Sequence, residues 1–211
     1  MSDEKKRLHA DEEDIKLAAQ AAPKDLQEEE PVNVFNEVLD WIESFVFALF
    51  VIILIFIFFL RIVTVDGPSM NPTLTDKDRL IMSHINYKPA RNDVVVVNST
   101  ALDKTIIKRV IGIQGDKVRI DYNTNKVLVN GKEISNENIQ ATMINKSMFD
   151  PNYLVEKNVY EYDVPKGSCF VMGDNRNNST DSRTIGFVKN KDILGHAIFR
   201  IYPLKEMGKI K

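Results

Sequence analysis

Cysteine and histidine are scarce in this chain of 211 residues, which contains one cysteine and three histidines. An internal disulfide is excluded, and zinc clusters built from cysteine and histidine lack the necessary ligands. The single cysteine, Cys169, lies in the apolar run Ser168–Met172, which predicts a small buried side chain rather than a catalytic thiol. We therefore expect no metal and no other cofactor.

Clusters of basic residues interleaved with aromatic side chains are also missing, which argues against nucleic-acid binding. The formal net charge of −2 conceals an uneven distribution of charge. Residues 1–40 hold 5 Lys or Arg against 12 Asp or Glu, whereas residues 44–211 hold 23 against 17. This asymmetry indicates two different environments. Residues 1–31 are acidic and poor in large apolar side chains, so we predict a flexible tail, with partner binding as the alternative.

One apolar segment predicts a transmembrane helix. Residues 44–60 carry no charge, and the length of this segment is at the short end of what crosses a bilayer. Ile62 and Val63 are expected to extend the helix, with Arg61 reaching the interface through its long stem. A buried helix of a soluble protein is the alternative. Upstream apolar residues fall at helical spacing, so the predicted segment is 32–63, with an amphipathic start at Val34, Val38, Trp41, Ile42 and Phe45.

Beyond residue 63, short alternating or apolar runs predict β-strands. Asn123–Asn125 and the Asn130-Gly131 pair are typical of hairpin turns. We therefore predict that residues 64–211 form a mainly β domain, a barrel or a sandwich. The predicted strands are 79–85, 93–97, 105–113, 117–121, 126–129, 169–172 and 196–202.

Two residues, Ser69 and Lys108, indicate chemistry. Ser69 follows Gly67-Pro68 and precedes a second proline, which favours a rigid turn that presents the hydroxyl. Lys108 lies within an apolar predicted strand, where burial lowers the pKa of an amine and lets it act as a base. We hypothesise that Lys108 deprotonates Ser69, which then attacks a carbonyl group.

Structural explanations compete with this hypothesis. Serines in such turns are usually structural, and lysines in strands usually point to solvent. Lys108 and Arg109 are adjacent and face opposite sides of the strand, so one of them is a candidate for a solvated edge charge. His84 is an alternative base, although a lone histidine in a strand is more often structural.

A third stretch, from Gly173 to Arg183, is dense in turn formers and polar groups. Together with the segments 67–74 and 108–116, it resembles the boxes of the type I signal peptidases, in the single-anchor form of Gram-positive bacteria. The three boxes occur in the order of that family, and Gly186-Phe187-Val188 follows the last one. The resemblance covers most of the chain from residue 61 onward.

The resemblance implies a membrane-bound serine endopeptidase with an antiparallel β catalytic domain. Such enzymes remove signal peptides from exported preproteins after small residues of the Ala-X-Ala kind. Ser69 would be the nucleophile and Lys108 the general base. Ser179 would orient the lysine amine, and Asp181 and Arg183 would form a supporting ion pair. In Gram-negative members a serine two positions before the nucleophile adds an oxyanion donor, whereas this chain has Gly67 there.

The segments on either side of Ser69 and Lys108 are expected to bind an extended substrate. The alternative is that their apolar residues only form part of the hydrophobic core. The residues concerned are Val63, Val65, Met70, Leu74, Ile106 and Ile107. The expected partners are secretory preproteins and membrane lipid, with the export translocon nearby.

The resemblance implies that the tail is cytoplasmic and that the catalytic domain lies outside the plasma membrane. The flanking charges favour the opposite orientation, because Lys24 stands alone before the helix while Arg61, Lys77 and Arg79 follow it. Two other functions compete with the peptidase. One is a self-cleaving Ser/Lys peptidase of the repressor type, and the other is a membrane-tethered β-domain that binds exported chains without catalysis.

Overall fold

A computed structural model of the chain describes residues 34–84, 87–134, 143 and 150–210, without the side chains of residues 56 and 57. The predicted tail at 1–31, the first two residues of the predicted segment 32–63 and the end of the strand predicted at 79–85 lie outside the described residues. The chain divides into two units between Phe50 and Val51, inside the single long helix.

Helix α1 (Val34–Phe59) is long and apolar enough to cross a membrane, with a mean hydropathy of 2.4 over Val34–Ile55. The predicted extension through Ile62 and Val63 is wrong. These residues belong to strand β1 (Leu60–Thr64), where Ile62 lies opposite Ile81 and Val63 opposite Leu80. The β-branched residues suit a strand, and antiparallel pairing with the next strand satisfies their backbone groups.

Twelve further strands follow among the described residues, so the fold is mainly β, as predicted. They are β2 (Arg79–Ser83), β3 (Val94–Ser99), β4 (Lys104–Ile113), β5 (Lys117–Asp121), β6 (Lys126–Val129), β7 (Lys132–Glu133), β8 (Leu154–Glu156), β9 (Val159–Asp163), β10 (Ser168–Met172), β11 (Val188–Lys189), β12 (Ile193–Tyr202) and β13 (Gly208–Lys209). A short helix, α2 (Ser182–Ile185), precedes β11.

Two antiparallel sheets contain these strands. The larger sheet has the order β1-β2-β12-β3-β4-β10-β11, with β13 paired to β12, and the smaller sheet has the order β7-β6-β5-β9-β8. The predicted hairpins on either side of β6 are present, and Asn130 and Gly131 adopt the positive φ angles of 52° and 76° that such a tight turn requires. The alternation from Val159 to Asp163 is a strand signal that the sequence prediction missed.

Three buried clusters form the core. One joins the two sheets through Phe170 and Met172 of the larger sheet and Val118 and Ile120 of the smaller one. The second lies beneath the turn that carries Ser69, and the third contains Cys169 with valines of β3 and β10. Cys169 is fully buried, and burial raises the pKa of its thiol to about 12, which confirms the prediction of a small apolar core residue.

Strand β4 has an edge that is only half occupied. On one side, β3 pairs with Lys104–Arg109. On the other side, β10 pairs only with residues from Arg109 to Ile113. Among the described residues, the stretch 104–108 therefore has an open edge, and the cleft beside Ser69 lies there.

Candidate active site

Ser69 lies in the turn that follows β1. Gly67 adopts a φ of +87°, a region that favours glycine, and its N–H donates to Asp76 Oδ1 at 2.8 Å. Asn71 N donates to Pro68 O at 3.1 Å and closes the turn around the serine. The following residue, Met70, is 1% exposed and anchors the turn in the core. The predicted rigid turn is thus held by hydrogen bonds at both ends.

Lys108 reaches Ser69 from β4. Its side chain is 3% exposed, and its amine donates to Ser69 Oγ at 2.8 Å and to Ile107 O at 2.9 Å. Burial lowers the pKa of Lys108 from 10.5 to about 8, and Lys104 and Arg183 act in the same direction, while Asp181 opposes them. Once the amine loses its proton, its lone pair can accept the hydroxyl proton of the serine.

Arg109, the neighbour of Lys108, is also buried, so neither of these two basic residues is a solvated edge charge. Its guanidinium forms two hydrogen bonds with Asp174, from Nε at 2.8 Å and from NH2 at 2.7 Å. Thr73 Oγ1 donates to the same carboxylate at 2.5 Å. This network links the lysine strand, the last loop and the serine turn, and the sequence analysis did not predict it.

Asp181 and Arg183 form an ion pair, with two hydrogen bonds of 2.8 Å between the guanidinium and the carboxylate. Asp181 is fully buried and also accepts from Gly173 N at 3.0 Å. Burial opposes ionisation of this carboxyl, but Arg183 and the Gly173 N–H outweigh it, so the pKa of Asp181 lies below its ordinary value. Through the Gly173 N–H, the pair holds the loop beside Ser69. Gly173 packs so closely against the serine turn that a Cβ at this position would collide with Ser69 O.

Ser179 does not form the hydrogen bond to Lys108 that the resemblance implies. Its hydroxyl is buried close to Gly173 and interacts with the Asp181 carboxylate, whose pKa it helps to lower. The amine of Lys108 instead donates to Ser69 and to its own strand. A role for Ser179 during the reaction stays a prediction.

Asn175 contacts the serine turn twice, a function that the sequence analysis missed. Its backbone N donates to Ser69 O at 3.1 Å, and its side-chain Nδ2 donates to Pro68 O at 3.2 Å. Its place in the last box was the available signal.

His84, the alternative base, is half-buried with no described hydrogen-bond partner on Nδ1, and Ser69 Oγ is instead contacted by Lys108.

An open cleft of about 360 Å³ lies beside Ser69 and Lys108. Five of the six residues predicted to bind substrate line it, namely Val63, Val65, Met70, Ile106 and Ile107. The sixth, Leu74, does not line this cleft. It is 1% exposed and packs in the core beneath the turn, because its backbone N bonds back to Met70 O and turns the chain away from the cleft.

The turn offers a free backbone donor at the nucleophile itself. The Gly67 N–H is engaged by Asp76, and Pro68 has no N–H. The Ser69 N–H donates to no group within the part of the chain that the structure describes. A negative oxygen formed at the substrate carbonyl would find its main-chain donor there.

These features define a class of protein: a β-rich domain behind an apolar helix, with a serine and a buried lysine in an open cleft. The profile of the family described as "Signal peptidase, peptidase S26" matches residues 38–202, and the chain belongs to this family. The predicted family, and with it the prediction of a peptidase, is thereby confirmed.

Two relatives that are similar in sequence agree with this assignment. "Probable signal peptidase I-2" of Synechocystis sp. is 38% identical over 156 residues, which cover 68% of this chain and 64% of the relative. "Signal peptidase IB" of Staphylococcus aureus strain COL is 33% identical over 180 residues, which cover 81% of this chain and 93% of the relative. A crystal structure of a signal peptidase I from Enterococcus faecalis V583 aligns with 52% of this chain and 97% of that one, at 28% identity and a TM-score of 0.38.

Proposed function

We propose that the protein is a membrane-anchored serine endopeptidase that cleaves signal peptides from exported preproteins after small residues. Ser69 is the nucleophile and Lys108 the general base. The observation that carries this proposal is the 2.8 Å distance between Lys108 Nζ and Ser69 Oγ, made by an amine that is 3% exposed. Family membership supports the cleavage of signal peptides, and the geometry supports the roles of the two residues.

The reaction follows from this geometry. The neutral amine takes the proton from Ser69 Oγ as the oxygen bonds to the scissile carbonyl carbon, and the negative oxygen is held by the Ser69 N–H. The C–N bond then breaks, and the leaving amine takes the proton from Lys108. The neutral Lys108 next takes a proton from a water molecule as the water oxygen bonds to the acyl carbon. The bond between that carbon and Ser69 Oγ then breaks, and Lys108 returns the proton to Ser69 Oγ.

The supporting residues act by holding the loop that touches the nucleophile. Asp181 binds both Arg183 and the Gly173 N–H. Asn175, two positions after Gly173, donates to Ser69 O. Because Gly173 packs directly against Ser69 O, a shift of this loop would move the hydroxyl relative to the amine. We assign Ser179 to the same group, and we propose that its hydroxyl bonds the lysine amine in the substrate complex.

The substrate binds as an additional strand along the open edge of β4. The N–H of Val110 donates to Asp93 O, so the backbone groups of Val110 point towards β3. Because successive residues of a strand direct these groups to opposite sides, those of Ile107 and Thr105 point away from β3 and towards the open edge. These groups can bond an extended peptide. Val63 and Val65 form the opposite wall, and branched aliphatic walls leave room only for small side chains at the first and third positions before the cut.

The helix confines this site to the membrane that holds the substrate. Ser69 follows Phe59 by ten positions, so the chain keeps the nucleophile within about 35 Å of the end of α1. We propose a single-pass protein of the plasma membrane with a cytoplasmic N-terminus, lipid contacts along α1 and the export translocon nearby. Protease added outside intact cells should leave an N-terminal tag uncut, and removal of the tag would reverse this orientation.

Cleavage of a preprotein in detergent tests the proposal. The full chain is compared with Ser69→Ala and Lys108→Ala, and Lys132→Ala, an exposed lysine of β7, serves as the control. We expect both active-site variants to lose at least about 10³-fold in kcat/KM and the control to match the wild type. Cleavage by either active-site variant at the wild-type rate would refute the assignment, and binding without cleavage by the wild type would favour the tethered binding domain.

A further inference from the structure

The cleft beside Ser69 has a charged residue on each wall in addition to the buried Lys108. Asp66 lines it on the side of β1, and Lys104 lines it on the side of β4. The two charges differ in their surroundings. Asp66 is almost fully exposed, and its Oδ1 lies 3.8 Å from Lys77 Nζ, which is also 3.5 Å from Asp76 Oδ1.

Lys104 has no such neighbour. Its side chain is exposed, and no carboxylate lies within 4.0 Å of it in residues 34–84, 87–134, 143 and 150–210. An exposed ammonium that has no counter-ion within this described part of the chain, on a wall that the substrate follows, is available to a charge on the substrate.

Strand geometry indicates which substrate residue Lys104 meets. Lys104 precedes Lys108 by four positions on β4, so the two Cα atoms are about 13 Å apart. A peptide paired with β4 rises by the same amount per residue. Ile106 and Ile107 border the positions directly before the cut, and Lys104 continues the same wall beyond them. Its ammonium group therefore reaches the substrate about four to five residues before the scissile bond.

We propose that Lys104 is a specificity-determining residue that favours preproteins with an acidic side chain four or five residues before the cut and disfavours those with a basic one. The inference rests on the proposed function, because it takes the cleft beside Ser69 as the substrate site.

A series of matched peptides tests this. The peptides share alanine at the first and third positions before the cut and carry Glu, Gln or Lys at the fourth or fifth position. The enzymes are the full chain in detergent, Lys104→Gln, Lys104→Glu, and Lys132→Glu as a control with the same change in net charge. The readout is the ratio of kcat/KM between the Glu and Lys peptides on one enzyme, because any effect on the ionisation of Lys108 cancels in that ratio.

For the wild type we expect kcat/KM for the Glu peptide to be about three- to tenfold higher than for the Lys peptide. Lys104 attracts the glutamate and repels the lysine, and both interactions are exposed to solvent. The ratio should approach one in Lys104→Gln, invert in Lys104→Glu, remain unchanged in Lys132→Glu and shrink in 1 M salt. A wild-type ratio near one, or the same ratio in Lys104→Glu, would overturn the inference while the enzyme still cleaves. Failure of the wild type to cleave the Gln peptide, or equal cleavage by Ser69→Ala, would refute the proposed function itself.

Discussion

Replacement of Lys108 by methionine should stabilise the protein at neutral pH while it abolishes activity. Burial moves the pKa of Lys108 from 10.5 to about 8, and each pKa unit corresponds to about 1.4 kcal/mol. Below pH 8 the folded protein therefore carries a cost of about 3 kcal/mol for a charged buried amine. This cost disappears as the pH rises from about 8 to 10.5, because only the unfolded chain stays protonated in that range.

Methionine removes the cost together with two hydrogen bonds, to Ser69 Oγ and to Ile107 O. Each bond contributes about 1 kcal/mol. Lys108→Met should therefore be about 1–2 kcal/mol more stable than the wild type at pH 7 and less stable by a similar amount at pH 11. Chemical unfolding of the full chain in detergent between pH 6 and pH 11 measures this difference, with Lys132→Met as the exposed control.

The activity of the wild type should follow the same titration. At pH 7 about one-tenth of Lys108 is neutral, against about one part in 3,000 for an ordinary lysine. We expect kcat/KM to rise about tenfold per pH unit below pH 8 and to level off above it. A Lys108→Met protein that is less stable than the wild type at every pH, or an activity that is flat from pH 6 to pH 9, would refute the neutral-amine mechanism.

Three further substitutions test the surroundings of the site. Gly173→Ala should lose almost all activity, because the new Cβ collides with Ser69 O and with Ser179; a preprotein assay that finds wild-type cleavage would contradict the close packing. Arg109→Met should lower the free energy of unfolding by about 3–5 kcal/mol, because it leaves Asp174 buried without its partner, and an unchanged denaturation midpoint would argue against the network. Ser179→Ala should lower the free energy of unfolding by about 1 kcal/mol, because the contact of its hydroxyl with Asp181 is lost, while kcat falls and KM stays constant; an unchanged kcat would contradict a role for this hydroxyl in the reaction.

Local patterns predicted much of the secondary structure. The strands 117–121 and 126–129 match their predicted bounds, because the alternation of apolar and polar residues and the turn residues between them act over a few positions. The end of the helix could not be predicted in this way. Leu60 to Thr64 contains Arg61 and Thr64 among apolar residues, a composition that suits the interfacial end of a helix as well as a strand, and the pairing with β2 decides for the strand.

At the site, too, local patterns could not predict the contacts between residues that are distant in the sequence. Arg109 and Asp174 are 65 positions apart, and nothing in either local sequence indicates that they pair. Leu74 sits in the same box as Ser69, yet its side chain turns into the core rather than the cleft. The missing contact of Ser179 with Lys108 likewise depends on loop packing that no local pattern encodes.

By itself, then, the sequence determined which residue types are available for chemistry: a serine in a proline-bounded turn, a lysine among aliphatic residues, and an apolar segment ahead of both. These properties reside in neighbouring residues, so they can be read along the chain. Only the tertiary structure decided that the hydroxyl and the amine meet, that the strand beside them keeps an open edge, and which charges are paired. The hydroxyl and the amine, for example, lie 39 positions apart in the sequence, and their distance and burial arise from the folded chain as a whole.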